Sequence, residues 1–103
     1  MLFQLGGLNL SDGIVMKSDY ADENSQSSII NKDFAHFISD SLKRHITGDW
    51  GILCDEDRAV NDKAAKNGGR VISAYKYKDG TEIWIITEAD RSMTSVILRE
   101  EYT

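Results

Sequence analysis

The stretch that decides the fold is residues 69–98, GRVISAYKYKDGTEIWIITEADRSMTSVIL. Residues 71–77 set Val71, Ser73, Tyr75 and Tyr77 against Ile72, Ala74 and Lys76, a period of two rich in β-formers. Asp79-Gly80 follows. Asp-Gly between two such runs predicts a hairpin with a two-residue type I′ turn, because Gly takes positive φ freely and Asp tolerates it. The second run, residues 82–88, places Ile83, Trp84, Ile85 and Ile86 in succession. Four apolar residues in a row predict a central strand buried on both faces, with Trp84 in the core. Residues 89–92 are polar enough to turn, and residues 93–99 alternate again. The reading is a three-stranded antiparallel meander.

Upstream of the sheet, Phe34, Phe37, Ile38, Ser41, Leu42 and His45 fall at 3–4 spacing and form one stripe of a helix over residues 32–46. Asn31 is its N-cap, Lys43 and Arg44 suit its C-terminus, and Gly48 ends it. A second helix is predicted over residues 56–66, capped by Asp55, Glu56 and Asp57 at its positive end. Lys63 and Lys66 stand at its negative end, and Asn67-Gly68-Gly69 closes it. Its apolar residues are few, so it lies flat with much of its surface in water.

Before residue 31 the pattern is weaker. Residues 8–10 and 14–16 flank Ser11-Asp12-Gly13, either as a short strand pair or as one strand entered through a turn, with 14–16 the stronger strand candidate. Residues 17–28 are polar and read as a loop. The expected fold is α+β: an antiparallel three- to four-stranded sheet with two helices packed on one face. It forms one domain over residues 1–103, with a loosely structured part at 1–30 and a helix-helix-three-strand core at 31–103.

The net charge is −5, from 17 acids against 12 bases. No basic cluster is longer than Lys43-Arg44, which argues against direct nucleic-acid binding. No apolar run approaches the roughly 20 residues that span a bilayer. A single cysteine, Cys54, cannot make an internal disulfide, which fits a cytoplasmic protein.

Candidate chemistry is sparse. His36 and His45 lie on opposite faces of one helix and cannot share a metal, and His45 reads as a buried, hydrogen-bonded core residue. Cys54 beside three acids reads as a small buried residue, not a nucleophile. Asp49 with Asp55, Glu56 and Asp57 lacks the spacing of a calcium loop, and helix capping explains the run better. Glu88 and Asp90 sit in a turn that reads as solvated, with an internal Asp–Arg pair. No cofactor motif, metal site or catalytic constellation is present. Trp50, between Asp49 and Gly51, reads as a half-exposed aromatic anchor in acidic surroundings, suited to a basic protein surface.

One resemblance adds to this. Residues 45–51 (HITGDWG), Cys54-Asp55-Glu56-Asp57-Arg58 with Asn61, Asn67-Gly68-Gly69-Arg70, and residues 83–92 (IWIITEADRS) resemble a family of small "plasmid-related" proteins of bacterial mobile elements. The likeness spans about residues 42–102 and offers no catalytic residues to carry over. It implies a role in host conflict inside a bacterial cell, a setting in which several small acidic proteins inhibit CRISPR nucleases. The expected function is therefore a non-enzymatic anti-CRISPR inhibitor. It would enter the positively charged channel of a Cas9-type nuclease through Asp49, Trp50, Asp55, Glu56, Asp57, Glu88 and Asp90. The alternatives are an accessory protein of plasmid maintenance acting as a homodimer, and a small metal-dependent hydrolase. The chain is expected to be a monomer or homodimer without cofactors.

Overall fold

The computed structural model describes residues 5–11, 13–14 and 25–101, with the side chains of 25–31 excepted. Strands β1 (Gly7–Leu10), β2 (Val71–Lys76), β3 (Glu82–Thr87) and β4 (Met93–Leu98) form one sheet in the order β1-β4-β3-β2. Helices α1 (Ser25–Ile46) and α2 (Asp55–Asn67) lie between β1 and β2 in the chain, and a 3₁₀ turn (Arg99–Glu101) follows β4. The architecture is α+β.

The meander forms as its alternation dictates, with β3 between β2 and β4 and both pairings antiparallel. β1 departs from expectation: it runs parallel to β4, so the sheet is mixed. Its position is a second correction. The strand is Gly7–Leu10, residues 13–14 are helical, and 15–16 lie outside the described residues. The loop expected at 17–28 falls partly outside them too. α1 starts at Ser25, not after an Asn31 cap. Ser, Gln and Asn are only tenths of a kcal/mol poorer than Ala in a helix, so polarity alone does not end one.

The Asp79-Gly80 hairpin uses a longer turn than expected. Gly80 donates its N–H to the Tyr77 carbonyl (2.9 Å), Tyr77 donates to Thr81 (2.7 Å), and only Gly80 takes positive φ (94°). This is a type I turn followed by a left-handed glycine. Asp79 stays right-handed because its Oδ1 accepts the Thr81 N–H at 2.9 Å.

The registers sort the strands into two faces. Val71, Ser73, Tyr75, Ile83, Ile85, Thr87, Thr94, Val96 and Leu98 point to one side, and α1 covers it. Phe34 meets Tyr77 edge-on, with ring centroids 5.1 Å apart, and Ile14, Ile38 and Val96 complete the cluster. At the β2 margin, Val71 packs with Trp50, Ile46, Leu53, Ala64 and Ala65, so α2 lies along that margin with Ala64 and Ala65 turned to this side.

A polar chain crosses this core. His45 is fully buried, with Nδ1 2.6 Å from Ser73 Oγ and Nε2 2.8 Å from Thr87 Oγ1. Thr87 and Thr94 hydroxyls are 2.8 Å apart, and Thr94 donates to the Leu5 carbonyl at 2.6 Å. That last bond fixes the direction of the rest. Thr94 spends its proton on Leu5 and so accepts from Thr87, Thr87 accepts from His45 Nε2–H, and Nδ1 accepts from Ser73. The imidazole is thus neutral, and burial, helped by the Arg91 charge, pushes its pKa down to about 4. The sequence expectation of a hydrogen-bonded core histidine holds.

The β2 edge is sealed by side chain and backbone together. Asn61, 5% exposed, donates Nδ2–H to the Ile72 carbonyl and accepts the Ile72 N–H at 3.1 Å, completing the ladder in place of a neighbouring strand. Ala74 donates to the Trp50 carbonyl (3.3 Å) and accepts from Ile52 (2.9 Å), so the 50–52 segment pairs as a short parallel bridge. Only glycine fits at Gly51: its φ is 77°, and a Cβ there would lie 1.9 Å from the Ala74 carbonyl oxygen. Arg91 Nη2 donates to the Ala64 carbonyl (3.0 Å) and Nη1 to that of Gly69 (2.6 Å). A cation therefore closes the C-terminal end of α2, where its dipole favours one.

Candidate functional site

The residues singled out from sequence do not converge as expected. Trp50 is 2% exposed, its Nε1–H donated to Asp62 at 2.8 Å and its ring edge-on to His45 at 5.8 Å. The half-exposed anchor is therefore corrected: backbone pairing of residues 50–52 with Ala74 turns this side chain inward against Val71. Asp49 holds Arg44 through both carboxylate oxygens (2.7 and 3.2 Å) and accepts the Gly51 N–H (3.2 Å). The Arg44 guanidinium beside it keeps its carboxyl below the usual range. Asp49 thus shapes the loop that seals the β2 edge.

Asp55, Glu56 and Asp57 are exposed in the first turn of α2. The N-cap is Cys54, whose side chain makes no capping bond, so the three acids serve the helix through its dipole. Cys54 itself is exposed, contrary to the buried reading, because the N-cap position holds it at the surface. Asp90 is exposed and accepts the Ser92 N–H (3.0 Å), and the hydrogen bonds from Ser92 keep its carboxyl below the usual range. Glu88 is half-buried, 3.8 Å from Arg70.

A different surface stands out. On the sheet face turned away from α1, register places Ala74, Trp84 and Ile97 side by side, with Ile72, Ile86 and Ser95 in the next row. Trp84 is half-buried, not a core residue as expected, and its Nε1–H is donated to Glu82 Oε2 at 2.7 Å. Glu82 also lies 3.6 Å from Arg99.

The indole forms a wall between two depressions. The larger, about 710 Å³, is polar and runs from Trp84 past Lys76, Glu82 and Arg99 to the Asp79-Gly80 turn. The smaller, about 220 Å³, is lined by Leu53, Val60, Ile72 and Trp84, with Asp57, Asn61 and Arg70 at its rim. Val60 is 65% exposed and Ile52, next in the chain to Leu53, is 52% exposed. Of the predicted acids, Asp57 stands on this rim and Glu88 is tied to it through Arg70.

The arrangement is an apolar centre with a charged border. The sequence carried a signal for it: Trp84 shares its parity with Glu82, two positions before it, and Glu88, four positions after, and charged residues at one parity mark the wet face of a strand. Among the described residues, no group of three or more His, Cys, Asp or Glu side chains is placed to hold a metal ion. Nor is any described helix long and apolar enough to cross a membrane. Set beside known proteins, the chain matches no family model, no curated protein and no solved structure.

Proposed function

We propose that this chain works by docking onto another protein and not by turning over a substrate, and that Trp84 is the centre of its docking surface. One observation carries the reading: a half-buried indole on the sheet face turned away from α1, walled by Val60, Leu53 and Ile72 and bordered by Asp57 and the Arg70–Glu88 pair. Trp is the side chain most often found to dominate binding energy, and a ring of polar groups excludes water around it. The net charge of −5, with Asp55, Glu56 and Asp57 on the adjoining turn, suits a basic partner.

The resemblance to plasmid-related proteins narrows the partner. In this reading the protein is a mobile-element inhibitor acting in the bacterial host cytoplasm, an anti-CRISPR that fits the positively charged nucleic-acid channel of a Cas9-type nuclease. Trp84 supplies the anchor there instead of Trp50, with Asp57 and Glu88 as flanking acids. The test is cleavage of target DNA by several Cas9 orthologues with and without the protein. Inhibition that Trp84→Ala abolishes supports the reading, and unchanged cleavage across all of them removes the nuclease as partner.

A second reading, a homodimeric accessory protein of plasmid maintenance, draws support from the open margin of the sheet at β1.

A further inference from the structure

We propose that the outer edge of β1 is a self-association surface, on which a second copy of this chain pairs antiparallel about a twofold axis at Asn9, extending the sheet from four strands to eight. Gly7 and Ser11 donate their N–H groups to the Ser92 and Val96 carbonyls of the β4 side, each at 2.9 Å. In a parallel ladder alternate residues face the neighbour, so Leu8 and Leu10 turn their N–H and C=O groups outward. No described strand pairs with that side of β1. All four β1 residues are exposed, Leu8 at 52% and Leu10 at 40%.

The opposite margin shows what protection looks like in this molecule. There Asn61 and the 50–52 segment consume the outward groups of Ile72 and Ala74. β1 itself has no lysine and no proline, and among the described residues no strand pairs with its outer side.

Two features name a second copy as the occupant. The chain has no charged side chain before Asp12, although its net charge is −5. Two acidic molecules therefore meet along this edge at less electrostatic cost than through their acidic surfaces. The edge is also its own complement. With the dyad at Asn9, Leu8 stands opposite Leu10 of the second copy and Leu10 opposite its Leu8, each pair exchanging two N–H···O=C bonds. The leucines share a face with Thr94 and Val96, so their side chains meet on the α1 side of the joined sheet. Trp84 lies two strands away on the opposite face, outside this edge, so the dimer stands or falls separately from the docking role.

Proline at position 10 removes an outward donor that β4 does not use, and edge strands tolerate it there. The expected result by sedimentation is a reversible dimer with Kd of about 100 µM, in keeping with so small an interface. Leu10→Pro should weaken it at least about tenfold, two donors being lost per dimer, while Leu10→Thr keeps the N–H and stays within about threefold of wild type. Amide exchange checks the same claim in the unaltered chain: the Leu8 and Leu10 amides should gain protection as concentration rises, while Asn9 and Ser11 are protected throughout. A chain that is monomeric at all concentrations overturns the proposal, as does a dimer that Leu10→Pro leaves intact or Trp84→Ala dissociates.

Discussion

On the α1 side of the sheet, Val71, Ile83, Ile85, Thr87, Thr94 and Val96 are closed to solvent entirely. One residue along the same strands, on the other side, Ile72, Trp84, Ser95 and Ile97 remain partly open and Met93 is 45% exposed. The two tryptophans divide between these settings. Trp50 is packed and hydrogen-bonded inside, where it fixes the loop that closes the β2 edge; Trp84 stands outside between two depressions. Ala74 and Ile86 are buried on that side too, so the opening is local to Trp84 and its neighbours, where the contact surface is proposed. Substitutions that separate a loss of stability from a loss of contact test the division.

The largest effect belongs to Trp50. Trp50→Ala empties a site 2% exposed and leaves Asp62 without the indole donor, so about 3–5 kcal/mol of stability should be lost, as for other large core truncations. Chemical denaturation measures it. A loss under about 1 kcal/mol breaks the contrast, because Trp50 would then behave like a surface residue.

His45 comes next and acts through pH. Its folded pKa, about 4, lies below the ordinary 6.5, so its contribution is complete above pH 6.5 and is lost as pH falls from 6.5 to 4. That gap corresponds to about 3 kcal/mol. His45→Gln keeps partners for Ser73 and Thr87 but cannot take up a proton. Urea midpoints at pH 7, 5.5 and 4 should therefore fall less steeply in the variant, and parallel slopes would show that the buried imidazole does not govern acid stability.

Asn61 seals the β2 edge at about 2 kcal/mol. Asn61→Ala leaves the Ile72 N–H and C=O without their side-chain partners. Asn61→Asp keeps the acceptor but turns a carboxylate toward a carbonyl, so it should stabilise no better than alanine. Faster hydrogen exchange at the Ile72 amide, with β3–β4 amides unchanged, localises the damage to the edge.

The sequence made the closed face legible and the open one less so, for physical reasons. Period-two alternation and Asp-Gly are local signals, and β2, β3 and β4 follow from them within a residue or two. Gly7 pairs with Met93 across most of the chain, and nothing local announces a parallel partner, so β1 was misplaced. Trp50 went astray because flanking glycines suggest exposure, whereas Gly51 is needed for the backbone to approach Ala74. Four apolar residues in a row suggest a core position for Trp84, whereas its parity with Glu82 and Glu88 points the other way. Asp49, Arg58, Asn61 and Arg91, all within the segments on which the expected resemblance rests, hold the 50–52 loop and α2 on the sheet. The segments that suggested a function thus account for the fold of the α2 margin.

The smallest effect on stability should come from Trp84, and it is the one on which the open face depends. Trp84→Ala forfeits a half-buried indole and its bond to Glu82 but opens no sealed cavity, so the cost should be about 1 kcal/mol. The same change removes the shared wall of both depressions, so partner affinity should fall at least about a hundredfold, as for a dominant interface residue. Calorimetric titration of the partner against wild type and variant, beside their unfolding curves, reads both quantities. Trp50→Ala at the same site-independent concentration should do the reverse: low stability, with affinity retained by the fraction that is folded. If Trp84→Ala costs several kcal/mol and leaves binding intact, then the outward tryptophan is a structural residue like the inward one, and the contact surface lies elsewhere on the chain.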